Sequence, residues 1–158
     1  MIISNMLETP HVAVGVAIAT KIGNPFLAIP LSLASHFVLE RVPHWNPHLN
    51  TETEKYGKPT KKSTIIAAVD STLALAGGSF IALSALPNTT QMITIFACCF
   101  ASVLPDVLEA PYFFLNIRPP ILKRWIKFQK SIQVDASFLP GILTQIAVIT
   151  ASLYWIFT

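Results

Sequence analysis

Residues 63–86 read STIIAAVDSTLALAGGSFIALSAL, an apolar run interrupted by one acid, Asp70. A helix crosses the hydrocarbon core of a bilayer, about 30 Å thick, with roughly 20 mostly apolar residues. The run meets that length, so it predicts a transmembrane helix and decides the class of fold. Two more segments meet it as well. Residues 90–116 carry Asp106 and Glu109, whereas 137–157 carry no charge and end near Tyr154 and Trp155, side chains suited to the headgroup region. The whole chain agrees with its spans: of 158 residues, 53% are hydrophobic and 12% charged, against about 25% charged in an ordinary soluble domain. That excludes a disordered chain, speaks against a water-soluble globule and leaves room for one domain. Cys98 and Cys99, the only cysteines, form neither a disulfide scaffold nor a zinc-finger pattern.

The N-terminal apolar region, 10–41, is split by Gly23-Asn24-Pro25, which is turn chemistry. Neither piece comfortably spans a bilayer, so the pair predicts a helical hairpin that enters and leaves by one face; a single kinked span is the alternative. Thr9 and Pro10 suit the N-cap and first helical position of its first arm. Ten of the eleven basic residues lie in two loops, 41–62 and 117–136, with two spans between them. Both loops therefore sit on one face, which the positive-inside rule makes cytoplasmic. In the second loop Ile121, Trp125, Phe128 and Ile132 recur at helical spacing, with Lys123, Arg124, Lys127 and Lys130 on the other side. Residues 119–134 thus read as an amphipathic helix in the interface, or else as a plain connector. The expected fold is an all-α integral membrane protein, multi-pass in the cytoplasmic (inner) membrane. It is one domain over residues 1–158: a small helical bundle with the hairpin, three transmembrane helices and the interfacial helix. Ala76-Gly77-Gly78-Ser79 permits close helix approach and a homodimer. Membrane lipids are the expected surroundings, and no nucleic-acid partner is expected.

Ionisable groups at membrane depth are costly, which makes them functional candidates. His36 and Glu40 are four apart on the second hairpin arm, and Asp106 and Glu109 are three apart in the second long span, so each pair shares a helical face. Asp70 lies in the first span, His11 opens the first arm, and His44 follows one turn beyond Glu40. Counted from the basic loops at 1.5 Å per residue, His36, Asp70, Asp106 and Glu109 fall roughly 8–18 Å below one boundary, and the hairpin returns His11 to that level. No Lys or Arg is expected there, and acids so placed call for a counter-charge. The candidate metal ligands are His11, His36, Glu40, His44, Asp70, Asp106 and Glu109, with Glu40 or Glu109 as a catalytic base and Asp70 as a ligand or as support for a histidine. Pro105 and Pro111 would free the carbonyls of Ala101 and Val107 around such a cavity. Taken one at a time, each of these groups also has a plain structural role open to it. Glu8, Glu52, Glu54 and Asp135 read as surface charges.

The order of these residues resembles the membrane-bound metal-dependent hydrolases of the YdjM-like type. The likeness lies in TPHVAVG at 9–15, LASHFVLERVPHW at 33–45 and LPDVLE at 104–109. It carries over to His11, His36, Glu40, His44 and Asp106, and it implies a metal-dependent hydrolase. This chain departs in having Glu40 where Asp is more usual and in lacking a His-Arg-Gly-Thr-His-Ser-like segment.

Mixed imidazole and carboxylate donors suit zinc first, then manganese or iron, and carboxylates alone would suit magnesium. Such an ion brings bound water to a pKa of about 7. The reading is then a hydrolase acting from the cytoplasmic side on a lipid-linked or anionic amphiphilic phosphoester. The alternatives are a cation or proton transporter and a non-catalytic metal-binding scaffold. The outer halves of the first two spans, 73–86 and 91–103, carry no charge and offer only Ser, Thr and Gln91 beside small and apolar residues, which favours a one-sided site over a pathway.

Overall fold

The structure is a computed structural model and describes residues 6–158. Eight helices, with no named strand, make up the described residues: α1 (Glu8–Ile22), α2 (Pro25–Leu39), α3 (Leu49–Tyr56), α4 (Lys61–Ser84), α5 (Thr89–Val107), α6 (Ala110–Phe114), α7 (Pro120–Ile132) and α8 (Phe138–Phe157). Of these, α4, α5 and α8 are long and apolar enough to cross a membrane. They leave Leu73, Leu75, Phe80, Ile93, Phe100, Leu139 and Leu143 more than half exposed, the pattern of helices whose solvent is lipid.

The centre of the bundle is α1, which packs against α2, α4, α5 and α8. Its small residues make that possible. A Cβ on Gly15 would stand 2.8 Å from the Cys98 carbonyl oxygen and 2.9 Å from Ser102 Oγ, so only glycine lets α1 lie against the α5 backbone there. Gly23 takes φ +65°, a left-handed conformation that glycine adopts freely. Asn24 then accepts from the Phe26 N–H to start α2. The two helices, each 15 residues long, pack against one another. Thr60 caps α4 and Asn88 caps α5 through side-chain oxygens.

Two expectations change. Thr9 does not cap α1, which begins at Glu8; its first amides are capped by Asp70 of α4 instead. The segment 90–116 is not one helix, since α5 ends at Val107 and α6 resumes at Ala110. Pro111 has no N–H for the Val107 carbonyl, and its ring crowds the preceding turn. Pro105, by contrast, is accommodated inside α5. Its carbonyl, left over because the Glu109 N–H turns back to the Asp106 carbonyl, receives the Trp125 indole N–H at 3.1 Å. In α7, Ile126 and Gln129 are buried and Trp125 is half-buried, while Ile121 and Phe128 stay 72% and 47% exposed.

The chain after α2 is tied down by backbone pairing. Val134 N–H donates to the Glu40 carbonyl, His44 N–H to Val134 and Ala136 N–H to His44. Gly141 of α8 admits this strap, because a Cβ there would lie 2.6 Å from Trp45 Cβ. Glu40 and His44 are therefore held between α2, the strap and α8.

Candidate metal centre

Four side chains from three helices converge. His11 of α1, His36 and Glu40 of α2 with its C-cap, and Asp106 of α5 each offer a ligand atom, all within 4.8 Å of one another and all buried. His11 Nε2 lies 3.3 Å from Glu40 Oε1, and His36 Nε2 lies 3.8 Å from Asp106 Oδ1. The two imidazoles stack, with centroids 4.3 Å apart. This group can hold a metal ion.

Support around the cluster sets its protonation. His36 Nδ1 lies 2.9 Å from the Ser102 carbonyl oxygen, so by hydrogen bonding it carries the proton and leaves the Nε2 lone pair facing the cluster. His44 Nδ1 is fixed in the same way by the Val42 carbonyl at 2.7 Å, and its Nε2 points to Glu40 Oε2 at 3.9 Å. Glu40 Oε1 accepts the Met6 N–H at 3.0 Å, whereas Oε2 has no hydrogen bond. Among the described residues the ion pairs of Glu40 are with histidines. A buried carboxylate beside imidazoles, with an open oxygen, fits a cation better than it fits an apolar core.

The expected residues divide. His11, His36, Glu40 and Asp106 come together. His44 stands at the edge, against Glu40. Glu109, only 2% exposed, is buried beside Asp106 along one cavity but outside the four. Asp70 does different work. It accepts the Glu8 and Thr9 N–H groups and the Thr9 hydroxyl. Its charge therefore meets the positive end of α1, and a helix start inside the protein keeps its amides satisfied. Gln145 of α8 takes the preceding Leu7 N–H. Glu8, expected at the surface, has its Oε2 buried.

Gln129 of α7 went unread in the sequence. It is fully buried, and its amide nitrogen lies 3.1 Å from His36 Nε2. Its Oε1 has no hydrogen bond, and a half-turn of the amide would present that oxygen in place of the NH₂. The only signal was its position three residues after Ile126, beside lysines that mark an outer face. Trp125 and Phe128 also reach Phe37 of α2, with centroids 6.3 and 6.2 Å away, so α7 lies across the ends of α2 and α5 and covers the cluster.

No family model, no curated protein and no solved structure matches the chain.

Proposed function

We propose that this protein is a membrane-embedded, metal-dependent hydrolase that cleaves an amphiphilic or lipid-linked phosphoester from the cytoplasmic side. One observation carries the reading: two imidazoles and two carboxylates from separate helices are buried within 4.8 Å of each other. Zinc suits that donor set best, with manganese or iron next. The resemblance of the three sequence motifs to YdjM-like hydrolases points the same way. In this reading α1 and α2 form a re-entrant hairpin and α7 lies in the interface. Its basic face, Lys123, Arg124 and Lys127, is exposed and attracts anionic headgroups.

When bound, the ion would act as a Lewis acid on phosphoryl oxygen and would acidify water. His11, His36, Glu40 and Asp106 would hold it. Ser102 fixes the His36 tautomer through its carbonyl, and Val42 does so for His44. Glu109 takes a proton from the attacking water on a carboxylate oxygen. The water oxygen joins phosphorus, the ester P–O bond breaks, and the proton passes from Glu109 to the departing alkoxide. One water is consumed, and an alcohol and a phosphate are formed. Burial under α7 keeps bulk water away from this exchange.

Transport asks for a polar route past the cluster. Beyond Asp70 and Asp106 the cavity is instead walled by Ala74, Gly78, Ser79, Phe96, Cys99 and Val103 and holds no further charged group, which favours the one-sided reading. Phosphate release from phosphatidic acid in nanodiscs tests the proposal. Wild type with zinc or manganese should turn over. Glu109→Gln should lose at least about 10²-fold while keeping its metal, and His36→Ala should lose both. Metal without phosphate release from any amphiphilic phosphoester would leave a scaffold, and cation flux without turnover would leave a transporter.

A further inference from the structure

A cavity of about 400 Å³ runs between α4 and α5, with α1 as its floor. Glu8, Asp70, Asp106 and Glu109 lie at one end, with Lys130 also on its wall; Gly78, Ser79 and Phe96 lie at the other. Its outer walls are exposed apolar side chains: Leu75 is 70% and Phe100 57% exposed. Along α4 it extends from Ala67 to Ser79, which is about 18 Å at 1.5 Å per residue. One leaflet of a bilayer supplies about half of a 30 Å hydrocarbon core. The far end is closed by packing, since a Cβ on Gly78 would stand 3.0 Å from both Val12 Cγ1 and Cys99 Sγ.

We infer that this groove holds the single hydrocarbon chain of a membrane amphiphile and delivers its headgroup to Asp106. Length, an apolar lining and an opening among lipid-facing side chains fit an acyl chain of one leaflet. A peptide strand would fit poorly, because the backbone groups of α4 and α5 are already spent within their helices. Asp106 belongs both to the groove and to the metal cluster, so a chain seated there places its first polar atoms at the ligands. The charges at that end select the headgroup. Four carboxyl groups, those of Glu8, Asp70, Asp106 and Glu109, disfavour an anion unless an ion occupies the cluster, and Lys130, paired only loosely with Glu54 at 3.8 Å, is then free to meet it. The hydrocarbon site stands on the groove alone; the phosphoester headgroup rests on the hydrolase reading.

Photolabelling in phosphatidylcholine nanodiscs tests this. Two probes are used, palmitoyl lysophosphatidic acid and palmityl alcohol, each with a diazirine at the chain end. Adducts should map to the Gly78–Ser79 and Phe96 end of the groove. Ser79→Phe should cut palmitoyl labelling by at least about tenfold, equivalent to roughly 1.4 kcal/mol, while an octanoyl probe still labels. Leu75→Trp, on an exposed wall, should also reduce the palmitoyl adduct. Adducts spread equally over Leu139 and Leu143 of α8, insensitivity to both substitutions, or cross-links to a second copy would overturn the inference. The alcohol probe and parallel metal analysis separate the two proposals. Groove labelling without metal overturns the hydrolase and keeps the chain site, whereas metal and turnover with scattered labels do the reverse.

Discussion

His36 Nδ1 is held by the Ser102 carbonyl, and its Nε2 lone pair accepts the Gln129 amide N–H; an ion on that lone pair would displace the N–H, and a half-turn of the amide would then offer Gln129 Oε1 to the ion in its place. Losing such support around a metal ligand typically costs 10–100-fold in affinity. Gln129→Ala should therefore weaken metal retention by about that factor in a chelator competition, while Lys127→Ala, two residues away and exposed, leaves it unchanged. Asp70 makes the opposite prediction. As the acceptor for the first amides of α1, its replacement by Ala should cost about 1–3 kcal/mol of stability, seen as a lower thermal midpoint in detergent, with metal content intact. If Asp70→Ala instead empties the site without lowering the midpoint, Asp70 is a ligand. The two residues also show where sequence reading stops. His36, Glu40 and Asp106 were legible because a charge in an apolar run is conspicuous and helical spacing gives its face. Asp70 was equally conspicuous, but its role depends on where α1 begins beside α4, which no spacing encodes. Gln129 was hidden among lysines, where a polar residue reads as solvated.

At the scale of elements, the cluster depends on how near α1 comes to α5. Gly15 is one turn beyond His11, and a branched side chain there would strike the Cys98 carbonyl. Gly15→Val should cost about 1–3 kcal/mol by overpacking and also displace His11, so the thermal midpoint and metal content fall together. The connection from α3 to α4 is a separate unit outside the spans. Burial pushes the Glu52 carboxyl up, but the Thr60 N–H, the Ser63 and Thr60 hydroxyls and nearby His48 outweigh it and hold Glu52 below its ordinary 4.5. A depressed carboxylate stabilises the fold fully above the ordinary value, and that contribution is lost as pH falls through the lower folded one. Amide exchange in α3 should accelerate on that acid limb in wild type, and Glu52→Gln should flatten the change. The element pattern was legible where composition decides it, as in α4 and α8. It failed where single prolines act. Pro105 and Pro111 look alike in sequence, yet α5 runs through the first to Val107 and breaks just before the second, where α6 begins at Ala110.

Across the whole molecule, a short central helix with a buried start organises everything else. Four elements close around α1, and its N-terminal end meets Asp70, Glu40 and Gln145 in one layer. That layer is the cluster's layer, so fold and site share their polar groups and the bundle cannot be assembled without gathering the acids. The positive-inside reading places Lys61, Lys62, Lys123 and Lys127 on one face. Trypsin added to sealed inverted vesicles should cut at both loops, while intact right-side-out vesicles protect both; cleavage of one loop from each side would refute that topology. The gathered acids still require a counter-charge, and the central claim is that a divalent ion provides it. The most direct measurement is elemental analysis of the protein purified in detergent without added metal, beside His36→Ala and Asp106→Ala preparations of equal thermal stability. The account predicts about one divalent ion per chain in wild type and nearly none in either variant. Equal, trace metal in all three would contradict it.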